Sequence, residues 1–117
     1  MAVKFVDLKD TYNIKTKTKD IIVDVTIGDG QSGNYSISLG KNLIEMNAPA
    51  TLGKQADVAG KKTIVSVKVD DTLTETNHTS MTVTVTEGAG ITTFGPYSKA
   101  VDQHLDSVIY TLKLMNQ

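Results

Sequence analysis

Met81-Thr82-Val83-Thr84-Val85-Thr86 decides the fold. Its apolar residues recur at every second position with threonine between them. That is the period of an extended chain, whose side chains point alternately to two faces, whereas a helix needs spacings of three and four. Met81, Val83 and Val85 form a face made for burial, and the threonines form one made for water, as in an antiparallel strand with one side on a core.

The same period returns in both directions along the chain. Thr63, Val65, Val67 and Val69 alternate with Ile64, Ser66 and Lys68. Tyr35, Ile37 and Leu39 alternate with Ser36 and Ser38, and Ile21, Val23, Val25 and Ile27 with Ile22, Asp24 and Thr26. Downstream, Val108, Tyr110, Leu112 and Leu114 alternate with Ile109, Thr111 and Lys113. Weaker β-prone runs predict strands at 3–8, 12–18, 43–46 and 91–94. Thr, Val and Ile supply 37 of the 117 residues, and these β-branched types pack well on a pleated surface.

Between the strands lie residues that favour turns: Gly28 to Gly33, Gly40-Lys41, Asp70-Asp71, Thr76-Asn77-His78, Gly88-Ala89-Gly90 and Gly95-Pro96. Gly60-Lys61-Lys62 before one strand, Asp70-Asp71 after it and Asn77-His78-Thr79-Ser80 into the next read as a hairpin. Residues 47–62 form the longest irregular stretch and suit a crossover between two sheets. Single turns of helix fit at 55–59 and 100–105. Eight or so two-faced strands cannot bury their apolar sides in one flat layer. The expected fold is all-β: an antiparallel β-sandwich of about 8 strands, of immunoglobulin-like or jelly-roll type, in a single domain over 1–117. A Cys pair and a core Trp, the immunoglobulin hallmarks, are absent.

Composition narrows the function classes. Without Cys there is no disulfide framework, thiolate zinc site or Cys nucleophile. A net charge of −1, with twelve Lys and no Arg, argues against a nucleic-acid partner. Lys15, Lys17 and Lys19, alternating with Thr16 and Thr18, read as the solvated face of an early strand. No apolar run reaches the length of a membrane span, and the first residues do not resemble a secretion leader.

Candidate chemistry is sparse. His78 and His104 are isolated in predicted loops and lack ligand spacing. Gly28-x-Gly30-x-x-Gly33 matches a dinucleotide-binding pattern in letters, but a strand follows it where a helix is needed. Gly30-Gln31-Ser32-Gly33 is no nucleophile elbow. Asp70, Asp71, Glu75 and Asn77, joined by Asp29 if loops converge, offer hard oxygen ligands for Ca²⁺ without matching an EF-hand. Phe94-Gly95-Pro96-Tyr97 reads as two aromatics around a turn that plugs one end of the sandwich. With six aromatics and no Trp the chain is a poor platform for sugars or bases. Asn34-Tyr35-Ser36 and Asn77-His78-Thr79 match the glycosylation triplet, a pattern that arises easily by chance.

These residues predict no catalytic, cofactor-binding or metal-binding site and no cofactor. The expected function is a non-enzymatic module acting through surface contacts, of structural, assembly or adhesion type, with a protein partner or self-association. Ile22, Ile64, Ile109 and Met115, apolar residues on otherwise polar strand faces, form a contact patch if they neighbour one another; otherwise their strands are central and covered by a loop. The alternative is a loop-based binding module for Ca²⁺ or a small glycan.

Overall fold

A computed structural model of the chain describes residues 2–73 and 76–117. Nine strands and one turn of helix follow in the order β1 (Val3–Tyr12), β2 (Ile21–Ile27), β3 (Ser32–Leu39), β4 (Asn42–Met46), β5 (Ala50–Gly53), α1 (Gln55–Val58), β6 (Lys62–Asp70), β7 (His78–Glu87), β8 (Gly90–Ala100) and β9 (Ser107–Asn116). They form a five-stranded sheet, β1-β9-β6-β3-β4, packed on a four-stranded sheet, β5-β2-β7-β8. All pairs are antiparallel except β1 with β9, which run parallel over ten residues in register.

The inward faces are those the alternation predicts. Val65, Val67 and Val69 of β6, Val108, Tyr110, Leu112 and Leu114 of β9, and Ile37 and Leu39 of β3 meet Ile21, Val23 and Val25 of β2 and Met81, Val83 and Val85 of β7; all are buried. Each side chain of this kind contributes roughly 1.5–3 kcal/mol by leaving water. Thr82, Thr84 and Thr86 are half-exposed on the other side of β7.

Several local expectations are corrected. One strand, β1, replaces the two predicted at 3–8 and 12–18, and residues 13–20 carry no strand. The cause is local. The Glu87 carboxylate takes the N–H groups of Lys15 and Thr16, and the Thr16 hydroxyl takes that of Thr18, so these donors are lost to any ladder. Lys15, Lys17 and Lys19 therefore lie on a connector between the sheets. The apparent hairpin between β6 and β7 is an arch, because β6 belongs to one sheet and β7 to the other. A seven-residue connection is long enough to cross the ~10 Å between packed sheets.

The stretch 47–62 does cross between sheets, and it also contributes β5, which lies at the edge beside β2. Its helical turn is α1, whose Val58 is fully buried. The predicted helical turn at 100–105 is not formed; β8 runs to Ala100 and bends and turns follow. Gly95-Pro96 is no turn either, since both residues lie within β8. Pro96 has no N–H to donate, which an edge strand tolerates, and Gly95 sits beside a register shift with φ of 97°. Phe94 is buried and Tyr97 packs against the core, so the two aromatics seal an edge of the sandwich rather than an end. The hairpin at Gly40-Lys41 forms as expected, with Gly40 at φ 59°, a conformation open to glycine without steric cost.

Candidate functional site

Strand β7 runs the length of the sandwich, and a buried carboxylate is held at each end. At the far end Glu87 continues the inward parity of Met81, Val83 and Val85 and is 3% exposed. Its Oε1 accepts the Tyr12 hydroxyl at 2.5 Å, and both oxygens share the Lys15 N–H at 3.1 Å. Oε2 also accepts the Thr16 N–H at 2.6 Å. Burial pushes the Glu87 carboxyl up, but the Tyr12 hydroxyl, the two backbone donors and the Lys15 ammonium outweigh it and hold the group below its ordinary range. Burial in turn, with the carboxylate beside it, raises the Tyr12 phenol well above its ordinary value. Lys15 lies over the Tyr12 ring, 5.0 Å from its centroid. The result is a clamp tying the 13–20 connector and β1 of one sheet to β7 of the other.

At the near end residues 28–31, the described ends of the β6–β7 connection (71–73 and 76–77) and the 101–106 loop come together. Gln31 ties the first of these to the second and to the start of β7: its Nε2 donates to Asp71 Oδ1 at 2.8 Å and to the His78 carbonyl at 3.1 Å. Its Oε1 accepts the N–H groups of Thr72 and Leu73. Asp71 extends the inward parity of Val65, Val67 and Val69 and is fully buried, yet its Oδ2 has no hydrogen-bond partner among the described residues. The 101–106 loop is held by backbone bonds from Asp71 N–H to the Asp106 carbonyl and from Leu105 N–H to the Asp71 carbonyl. Asp106 accepts the N–H groups of Ala2 and Gln103. The Ala2 donor, against the opposing effect of burial and with help from Gln103 and Lys4, keeps this carboxyl below its ordinary range. Leu105 itself is exposed with φ of 72°, a left-handed conformation rare for a bulky side chain.

The structure separates the residues that a calcium site would need. Asp70 and Asp71 are neighbours on a strand end, so they point to opposite sides. Asp70 accepts from the Ser107 hydroxyl at 2.6 Å and pairs with Lys68 at 3.7 Å, while Asp71 points inward. Glu75 lies outside the described residues. Among the described residues no three His, Cys, Asp or Glu side chains gather as a metal-binding group. His78 and His104 are exposed at the near end, on the first residue of β7 and in the 101–106 loop. Gly28 to Gly33 leads into β3, not a helix, and two of its glycines answer to packing. A Cβ on Gly33 would stand 2.0 Å from the Lys68 carbonyl oxygen, and one on Gly28 would stand 2.2 Å from the Ser80 hydroxyl.

The expected apolar patch is divided. Ile22 faces outward on the four-stranded sheet, and Ile64, Ile109 and Met115 face outward on the five-stranded one. Each of those three stands across from a lysine: Ile64 from Lys113, Ile109 from Lys68, Met115 from Lys62. All three are half-buried, and long lysine stems cover apolar surface well.

Large exposed hydrophobes gather instead on the two edges of that sheet. Val3 and Phe5 on β1 and Leu43, Ile44 and Met46 on β4 are five of the seven such residues among those described. Phe5 is 70% exposed and Leu43 and Met46 are each 57% exposed.

Parity was the available signal for Glu87 and Asp71, since each continues the inward set of a strand as a charged residue. Nothing local marks Gln31 as the link from its own connection to residues 71–73 and β7. No helix among the described residues is long and apolar enough to cross a membrane. No family model, curated protein or solved structure matches the chain.

Proposed function

We propose that this chain is a non-enzymatic β-sandwich module that works by surface contact with protein, as a structural or assembly subunit. The observation that supports it is the placement of Val3, Phe5, Leu43, Ile44 and Met46 on the two edge strands of one sheet. An edge strand presents unpaired N–H and C=O groups, and exposed apolar side chains beside them add the burial that makes strand addition favourable. A photo-crosslinking residue introduced at position 5, 43 or 84 in the cells that make the protein tests this. The expected result is protein adducts from positions 5 and 43 and none from position 84, on the threonine face. No adducts, or as many from 84, would overturn it.

A second reading, loop-based ligand binding, is favoured by Asp71, whose buried Oδ2 has no partner among the described residues. A cation or a hydrogen-bond donor of a small ligand would satisfy it. This version relies on Asp71 without Asp70. A rise in melting temperature at millimolar Ca²⁺, lost in Asp71→Asn, is the expected result; no rise disposes of the metal version.

A further inference from the structure

We propose that the partner at these edges is a second copy of this chain, and that copies add side by side, β4 of one against β1 of the next. The inference rests on the surface-contact reading above and names its occupant.

The argument begins with how the two sheets treat their edges. The four-stranded sheet is blunted on both sides. β5 is four residues long and leads into α1, and β8 carries Pro96 and a register shift. The five-stranded sheet is left open on one side, at β1. β1 offers ten residues without proline or irregularity, and β4 offers five with one shift against β3. Proline, bulges and short edges are the usual defences against strand addition, and β1 has none of them.

Strand direction favours the same contact. β1 runs parallel to β9, β9 is antiparallel to β6, β6 to β3, and β3 to β4, so β4 runs opposite to β1. A copy moved sideways without inversion therefore brings β1 against β4 as an antiparallel pair, the more stable arrangement.

The side chains match as well. Leu43 and Met46 stand beside Ser38 and Ser36, on the outward face of the sheet, and Val3 and Phe5 are outward on β1. The irregularity at Ile44 makes Leu43 and Met46 neighbours on that face, with the spacing of Val3 and Phe5. Met46 lies in the cross-sheet row of Asp7, and Leu43 in that of Lys9. A stagger of four residues, about 14 Å, sets Met46 beside Val3 and Leu43 beside Phe5.

A two-fold contact of β4 with β4 would leave Val3 and Phe5 in water, and β1 with β1 would leave Leu43 and Met46. Only the unlike pair covers both, and it produces an open series. A net charge of −1 offers little repulsion between copies. A contact one strand wide is small against the roughly 800 Å² per partner of a standard interface, so association depends on concentration.

The test uses light scattering on the full chain and on Phe5→Lys and Met46→Lys, both at exposed positions, with melting temperatures to confirm folding. The wild-type mass is expected to rise with concentration past twice the monomer. Each variant alone keeps one sound edge and is expected to stay monomeric. Mixed in equal amounts they retain one sound β4 and one sound β1, and the mixture is expected to reach the dimer mass and stop there. A wild type monomeric at every concentration overturns self-addition while leaving the surface-contact reading to the crosslinking result. Variants that each dimerise alone, or a mixture that stays monomeric while the wild type associates, overturn the unlike pairing.

Discussion

Glu87 and Asp71 are carboxylates at opposite ends of one sandwich, both buried on the inward parity of a strand, and they are satisfied very differently. Both Glu87 oxygens accept from the protein, and one of its donors comes from β1 of the other sheet. Asp71 has one oxygen tied to Gln31 and one without a partner among the described residues. A buried carboxylate is a stabilising element only when every lone pair has a donor, because the cost of leaving water is otherwise uncompensated. The far end is thus a closed clamp. The near end carries this oxygen, a strained Leu105 and both histidines, and its 101–106 loop is held chiefly through backbone bonds and Asp106.

The largest test of this contrast is Glu87→Ala. It leaves the Tyr12 hydroxyl and the Lys15 and Thr16 N–H groups without their acceptor, and is expected to cost about 4 kcal/mol in urea denaturation. At the other end Gln31→Leu removes the link from residues 28–31 to residues 71–73 and β7, orphaning the Thr72 and Leu73 donors, and is expected to cost about 3 kcal/mol. An equal or larger loss than at Glu87 would reverse the ranking of the two ends.

The isosteric amides sharpen it further. Glu87→Gln turns a donor toward donors and is expected to cost about 2 kcal/mol. Asp71→Asn keeps an acceptor for Gln31 while removing the buried charge, and is expected to fall within about 1 kcal/mol of wild type. The Glu87 difference also depends on pH. The folded carboxyl lies below its ordinary value of 4.5, so its contribution is complete above that pH and fades as pH falls through the lower folded value. The gap between wild type and Glu87→Gln should narrow on acidification; a gap that widens below pH 4.5 would contradict the clamp. The smallest effect is at Leu105, where Leu105→Asn relieves the left-handed backbone and should stabilise by about 0.5–1 kcal/mol in thermal melts.

Much of this was readable in the residues. Parity alone puts Val83, Val85, Val67 and Leu112 inside and Thr84 outside, and it also places Asp70 and Asp71 on opposite sides, against their chelating one ion. Two features were not readable. The register of β1 against β9 depends on the far end of the chain, over a hundred residues away. The loss of a strand at 13–20 depends on Glu87, some seventy residues downstream. The contact patch was misplaced for a related reason: Ile64, Ile109 and Met115 look exposed along their strands, and only the neighbouring strands supply the lysines across from them.

By itself the sequence determined that the chain is extended, which side of most strands is buried and where most turns fall. These follow from side-chain period and backbone preference within a few residues. The tertiary structure decided which strands share a sheet, that β6 and β7 are joined by an arch, and which strands are left as open edges. Backbone donors and acceptors are the same on every strand, so local pattern cannot choose among partners. That choice is made by the burial and hydrogen bonding of the whole sandwich.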